Sequence, residues 1–174
     1  HTALIVAAAN GHADCVQLFL NAKAGLDFRN DEGNTALIVA ASNARSECVQ
    51  LLVAAKADIN TKNGSGDTAL MWVAREDDVE SVELLIAVKA DVEARDDTGR
   101  TALLWAAYEG NTECVQLLVD ANATLDAVDN NGNTALMLAA DSGDRGCVRM
   151  LLALAHEFCS MRSVKKRKLM KNQQ

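Results

Sequence analysis

Residues 101–127 read TALLWAAYEGNTECVQLLVDANATLDA, and residues 134–152 read TALMLAADSGDRGCVRMLL. The second stretch restates the first 33 positions later: Thr-Ala-Leu, a run of small residues, a Gly, then Cys-Val one residue before an apolar pair. Working outward, Thr-Ala-Leu recurs at Thr2, Thr35, Thr68, Thr101 and Thr134. Gly33, Gly66, Gly99 and Gly132 each stand two residues before the Thr. Val16, Val49, Val82, Val115 and Val148 share a phase, as do Ala24, Ala57, Ala90 and Ala123. A fixed period of this length is read before any local feature, because such units build a fold as an array.

Each unit reads as two short helices and a loop. Thr35 suits a helix N-cap, where its hydroxyl accepts a free first-turn N–H. Ala36–Ala41 follows as an Ala-rich first helix, whose small side chains let neighbours approach closely. The second helix is amphipathic, with Val49, Leu52 and Val53 at the i, i+3, i+4 spacing of one buried face. Glu47 near its start suits the positive end of the helix dipole. Ala57–Gly66 reads as an extended, turn-rich connection, its Asn and Gly residues fitting unusual backbone angles. One unit cannot bury its own apolar face, so stacking on neighbours is required. With helices about 8–10 Å apart, five units predict a rod of roughly 50 Å.

Composition agrees with this. The chain has 174 residues, 49% of them hydrophobic, but only 3% aromatic and no proline. The core must therefore be built from Ala, Leu, Val and Ile, and Pro-rich linkers are excluded. The longest apolar runs, Ala3–Ala9 and Ala102–Tyr108, have seven residues. A membrane span needs about 18 or more, and no signal peptide is visible. The first copy starts at the residue before its Thr, which leads us to expect a longer parent protein. Net charge is −7, unevenly spread. Arg162–Gln174 holds six basic residues and no acid, which leaves eleven basic against twenty-four acidic residues, −13, over 1–161. An acidic body excludes phosphate-backbone binding by the array and suits a basic partner.

Cys15, Cys48, Cys114 and Cys147 fall in one phase, with Ser81 in the missing place. This periodicity predicts small core residues with free thiols. Successive sulfurs would lie on Cα atoms about 10 Å apart, past the roughly 7 Å reach of a disulfide, and a reducing compartment is expected.

The pattern resembles the ankyrin repeat. The order of features in DNNGNTALMLAADSGDRGCVRMLL (Asp129–Leu152) and DTGRTALLWAAYEGNTECVQLLVDANATLDA (Asp97–Ala127) carries the resemblance. It implies an all-α solenoid of helix-turn-helix units joined by β-hairpin-like loops. The array would span 1–161, as a truncated repeat 1–29 and repeats 30–62, 63–95, 96–128 and 129–161, with 162–174 as a basic tail or linker. The family usually has Thr-Pro-Leu-His; here Ile5, Ile38, Met71, Leu104 and Met137 stand where the His would be. Apolar contact is expected to replace its polar tether. The usual Gly after the second helix is Lys23, Lys56, Lys89, Asn122 or Ala155. If these keep a left-handed backbone, each carries a penalty of roughly 1 kcal/mol. The mid-unit Gly persists as Gly11, Gly110 and Gly143 and is replaced by Ala44 and Asp77. The Thr-Ala-Leu wording is similar to arrays of single-celled parasitic protists, some cytoskeletal and some joined to kinase-like domains.

The resemblance also implies where a partner would bind: the loop tips and the exposed side of the first helix, together a concave surface. In this chain those positions are Asp31, Glu32, Asn34, Ser42 and Asn43; Ser65, Asp67, Arg75 and Glu76; Asp97, Thr98, Arg100, Tyr108 and Glu109; Asn130, Asn131, Asn133, Asp141 and Ser142. They vary between copies while core positions repeat, as expected where packing does not dictate the residue. Trp72 and Trp105 hold one place in adjacent first helices. With Tyr108, Arg75 and Arg100 they make a binding hot spot, or else they pack between repeats. Glu76, Asp77, Asp78, Glu80 and Glu83 either recognise a basic segment or form the solvated start of a second helix.

The run Lys165, Lys166, Arg167, Lys168 reads as a nuclear-import signal, a contact for phosphate or acidic lipid, or the basic end of a helix. Clustered carboxylates without a spaced loop predict no metal site. His1, His12 and His156 stand in no acid–base or nucleophile pattern, and there is no Gly-rich phosphate loop. The expectation is thus a non-enzymatic, monomeric protein-binding scaffold in the cytoplasm, without cofactor, nucleic acid or membrane. Alternatives are a docking array of a larger protein, for example one linked to a kinase, or a cytoskeletal structural array.

Overall fold

The computed structural model describes residues 2–156. Nine helices follow one another in pairs: α1 (Ala3–Asn10), α2 (Ala13–Asn21), α3 (Ala36–Ser42), α4 (Ser46–Ala54), α5 (Ala69–Arg75), α6 (Val79–Ala87), α7 (Ala102–Glu109), α8 (Thr112–Asp120) and α9 (Ala135–Ser142). Residues 145–156 are also helical. The first helices α1, α3, α5, α7 and α9 pack on one another in order. The second helices α2, α4, α6 and α8 form a parallel row, each packed on its own first helix. The result is an all-α repeat solenoid. The basic stretch 165–168 lies outside the described residues. No helix among them is long and apolar enough to cross a membrane.

Local chemistry explains each boundary. Thr2, Thr35, Thr68, Thr101 and Thr134 cap the first helices by accepting from Ile5, Ile38, Met71, Leu104 and Met137 N–H at 3.3–3.4 Å. In the third unit Met71 Sδ accepts in return from Thr68 N–H at 3.5 Å. The residues in the His position are otherwise buried and apolar, as expected, except Met137, which is exposed at the far end. First helices stop at left-handed Gly11, Gly110 and Gly143, and Ala44 and Asp77 adopt the same conformation (φ 51° and 57°).

Second helices stop at Lys23, Lys56, Lys89 and Asn122, all with φ between 57° and 66°. The N–H of the next residue, Ala24, Ala57, Ala90 or Ala123, then returns to the carbonyl of Phe19, Leu52, Leu85 or Leu118 at 2.9–3.0 Å. This closing bond needs the left-handed residue before it, which explains both the strain and the in-phase alanines. Ala155 departs from the series: it is helical, and its helix runs past the point where the earlier ones end.

The core is one thin sheet of Leu, Ile, Val and Ala between the helix rows; Leu37, Ile38, Leu52, Leu70, Leu85, Leu103, Leu104 and Leu118 are fully buried. Cys48, Cys114 and Cys147 lie in it as free thiols. Burial pushes Cys114 up to about 12, helped by the Asp77 carboxylate, and Cys147 up to about 11, helped by Asp144. Cys15 corrects the expectation, since it is exposed. The cysteine position faces the preceding unit, as Cys114 shows by donating to Asp77 Oδ1. Among the described residues nothing stands on that side of α2, and Leu18 is 67% exposed for the same reason.

Ser81 fills the cysteine place in the third unit, fully buried, and its hydroxyl has no hydrogen-bond partner among the described residues. An unpaired buried hydroxyl is unfavourable, whereas a thiol behaves there as a small hydrophobe. Ser81→Cys is therefore expected to raise unfolding stability by about 1 kcal/mol, read as a higher urea midpoint at unchanged slope.

Candidate functional site

The loops between units are tight turns held by one repeated device. Asn30, Asn63, Asp96 and Asp129 open the four turns. Each side-chain Oδ1 accepts from the N–H groups two and four residues on, at 2.8–3.0 Å. Each backbone N–H of these four donates to the carbonyl four residues on. The β-hairpin likeness stops there, since no strand forms among the described residues and a single bridge joins Val128 and Thr134.

Adjacent turns are also bonded to each other. Gly64 N–H donates to Glu32 O at 2.9 Å, Asp97 to Ser65 at 3.0 Å and Asn130 to Thr98 at 2.9 Å. Arg29, Lys62 and Arg95 each send a side chain to the carbonyl 33 residues on, at 2.8, 2.7 and 2.6 Å. The tips thus form one continuous strip with defined spacing rather than separate mobile loops. Neither device was among the expected site residues, although Asn or Asp at 30, 63, 96 and 129 was an in-phase signal in the sequence.

Beside the strip, on α5, α7 and the turn that leads into α7, aromatic rings and guanidinium groups alternate. Arg75 lies over Trp72 and Trp105, 5.1 and 4.6 Å from the ring centres. Arg100 lies over Trp105 and Tyr108 at 4.4 and 4.6 Å. Trp105 and Tyr108 meet edge to face at 5.9 Å. The structure therefore brings together Trp72, Arg75, Arg100, Trp105 and Tyr108, all half-buried. The two tryptophans pack against the core between units and keep part of their surface open to solvent.

The two indoles differ. Trp105 Nε1–H donates to Asp96 Oδ2 at 2.8 Å. Trp72 Nε1 is buried without a partner among the described residues. Asn63 stands where Asp96 does in the next unit, and its second side-chain atom is an amide nitrogen, which donates to Asn34 and Asp67 instead. In the first two units the tryptophan place holds Val6 and Val39, and a hollow of about 290 Å³ opens on this face beside Ala9 and Asn30.

The remaining candidates divide. Asp31, Glu32, Ser65, Asp97, Asn130 and Asn131 are exposed at the tips, and Glu76, Glu109 and Asp141 are exposed on or at the ends of the first helices. Several others serve the fold: Asn34 bonds Glu32, Thr98 donates to Asp96, Asn133 donates to Asp129, Asn43 and Ser42 donate to Val39 O, and Ser142 donates to Ala139 O. The acidic group of the third unit is scattered. Asp78 caps α6 through Ser81 N–H, Asp77 accepts from Cys114, and Glu80 accepts from Gln50 on the opposite side of the solenoid.

Two ion pairs form among the described residues. Arg75–Glu109, at 3.2 Å, is open to water and contributes little to stability. Arg100–Asp129, at 3.6 Å, is largely buried on the Asp side. Burial alone would raise the Asp129 carboxyl, but hydrogen bonds from Asn133 and Asn131, with Arg100, outweigh it and hold it below the usual range.

Asp67 shifts the other way. Burial raises it and Asp96 and Asp97 add to the rise, against a lowering by Asn63 and Arg75. Its folded pKa thus lies above the unfolded one. Ionisation near neutral pH then favours the unfolded chain, and that penalty fades as pH falls through the folded and then the unfolded value. Asp67→Asn is expected to stabilise the fold at neutral pH, with the gain vanishing in acid; paired thermal melts across pH would check this.

No cluster of His, Cys, Asp or Glu able to hold a metal occurs among the described residues. Comparison with curated proteins gives no significant match. A family model described as ankyrin repeats (3 copies) matches residues 1–63 and 70–162. That match covers most of the sequence and agrees with the helix pairs, capped turns and stacking order seen here: the chain belongs to the ankyrin-repeat family.

Proposed function

We propose that this chain is a non-enzymatic adaptor that binds a protein partner on the face made by its turn tips and first helices. Ankyrin repeats are generally protein–protein interaction modules and are typically non-enzymatic. The observation carrying this reading is the Trp72–Arg75–Trp105–Arg100–Tyr108 ridge. Trp, Tyr and Arg dominate binding energy at interfaces, and mutual stacking already immobilises these side chains, so little entropy is lost on binding.

Charge points to a basic segment of that partner. Asp31, Glu32, Asp67, Glu76, Asp97 and Asp141 share the face, while the two arginines are offset by Glu109 and Asp129. A monomeric array is sufficient for this role.

The test is capture of partners by the wild-type chain and by the double variant Arg75→Ala, Tyr108→Ala. Both residues are half-exposed, so circular dichroism should be unchanged. Loss of the main captured protein from the variant supports the reading. Undiminished capture of every partner contradicts it.

A further inference from the structure

The opposite side of the solenoid carries a feature of its own. Between α4 and α6 lies a groove of about 630 Å³ lined by Gln50, Val53, Ala54, Glu80, Glu83, Leu84, Ala87 and Val88. Its origin is a local departure from the repeat. In α2 and α8 the outward surface is covered by an i, i+4 polar pair: Gln17 donates to Asn21 and Gln116 to Asp120, both at 2.9 Å. In α4 and α6 the second member of that pair is Ala54 or Ala87. Gln50 turns across to Glu80 instead, at 2.6 Å. At the glutamine place α6 has Glu83, and after the helix Val88 replaces the alanine that follows α2, α4 and α8. Ala54, Ala87 and Val88 are left exposed to solvent. Glu83 joins neither ion pair of the described residues.

We propose that this groove is a second docking site, distinct from the turn-tip face, for an amphipathic helix with a basic flank. Two arguments select that occupant. The helices lining the groove have their backbone groups paired within themselves, so they offer no edge to an extended peptide. A partner lying there must satisfy its own backbone bonds, which a helix does. Small residues on the floor let a helix approach closely, its apolar stripe meeting Val53, Ala54, Leu84 and Ala87. Glu80 and Glu83, one turn apart on α6 and in no ion pair among the described residues, complement Lys or Arg beside that stripe.

The probe is a fluorescent helix-forming peptide of about 15 residues with Leu at i, i+3, i+4 and i+7 and Lys at the flanking positions. Its counterparts carry Glu in place of Lys, or a central Pro. Anisotropy titrations of the full chain are expected to show binding of the Lys peptide, weakened by salt, and much weaker binding of both counterparts. Ala87→Asp, which restores the residue type of Asp120, should weaken binding by at least about ten-fold. Glu83→Gln, the residue of α2, α4 and α8 at this place, should weaken it several-fold and flatten the salt dependence. Both variants place on α6 a side chain the array already carries in phase, so the fold is retained. Arg75→Ala with Tyr108→Ala should leave this binding unchanged, which separates the groove from the turn-tip face. The proposal is overturned if the Lys peptide binds no better than the Glu peptide, if Ala87→Asp binds it like wild type, or if the Arg75/Tyr108 variant loses it.

Discussion

Gly99→Ala is expected to cost about 3 kcal/mol of stability, far more than the loss of one hydrogen atom suggests. Gly99 has φ +78°, and an added Cβ would strike the Asn130 side chain and come within 2.9 Å of its backbone N. The left-handed penalty for a non-glycine is about 1–2 kcal/mol. Relieving the contact moves the next turn and strains the Asn130 N–H to Thr98 O bond that joins the two tips. Gly66 stands in the same relation to Asp96 Cα and Asp97 N, both at 3.0 Å, and should behave alike. Gly132 has the same backbone (φ +82°) but nothing within 4 Å of its Cβ position. Gly132→Ala should therefore cost only the conformational share, about 1 kcal/mol. Urea unfolding of the three variants separates the two contributions. Equal costs at all three positions would mean that the turn-to-turn contact contributes nothing. Because the array is nearly one-dimensional, a weakened junction, between units 4 and 5 for Gly99 and between units 3 and 4 for Gly66, should also broaden the transition.

The second large effect is expected at Asp96. Its carboxylate accepts from Thr98 N–H, Arg100 N–H, the Thr98 hydroxyl and Trp105 Nε1–H, all at 2.7–2.8 Å. Asp96→Ala strands these donors in a partly buried turn and should cost about 3 kcal/mol. Asp96→Asn keeps an oxygen for the two backbone donors, as Asn30 and Asn63 do, and removes only the acceptor for Trp105. Its cost should be about 1 kcal/mol, with Trp105 placed in the position Trp72 already occupies. Near-UV circular dichroism would report the change at the indole. The prediction fails if the alanine and asparagine variants are equally stable.

These two cases show what the sequence could and could not carry. The 33-residue period displayed the helix pairs, the threonine caps and the stacking, because each is a local demand repeated in phase. The left-handed ends at Lys23, Lys56, Lys89 and Asn122 were legible through the family resemblance, which has a glycine at that place. Ala155 and Cys15 broke the pattern in the first and last described units, beside which the described residues hold no further unit to determine conformation or burial. The aromatic–arginine ridge was visible as a set of residue types on one face. Its order was not, since Arg75 reaches forward to Trp105 in the next unit while Arg100 stacks within its own. The turn device was written in phase as Asn30, Asn63, Asp96 and Asp129, but side-chain acceptors and exposed polar residues look alike until the backbone places the donors. The groove between α4 and α6 rests on what is missing, two polar i, i+4 partners, and an absence is read only against the neighbouring helices.

The most direct test of the binding face is amide hydrogen exchange on the chain with and without its captured partner. Slowed exchange confined to the turns at 30–34, 63–67, 96–100 and 129–133 and to α5 and α7 is the predicted result. Protection confined to the second helices, with these turns unchanged, would contradict it.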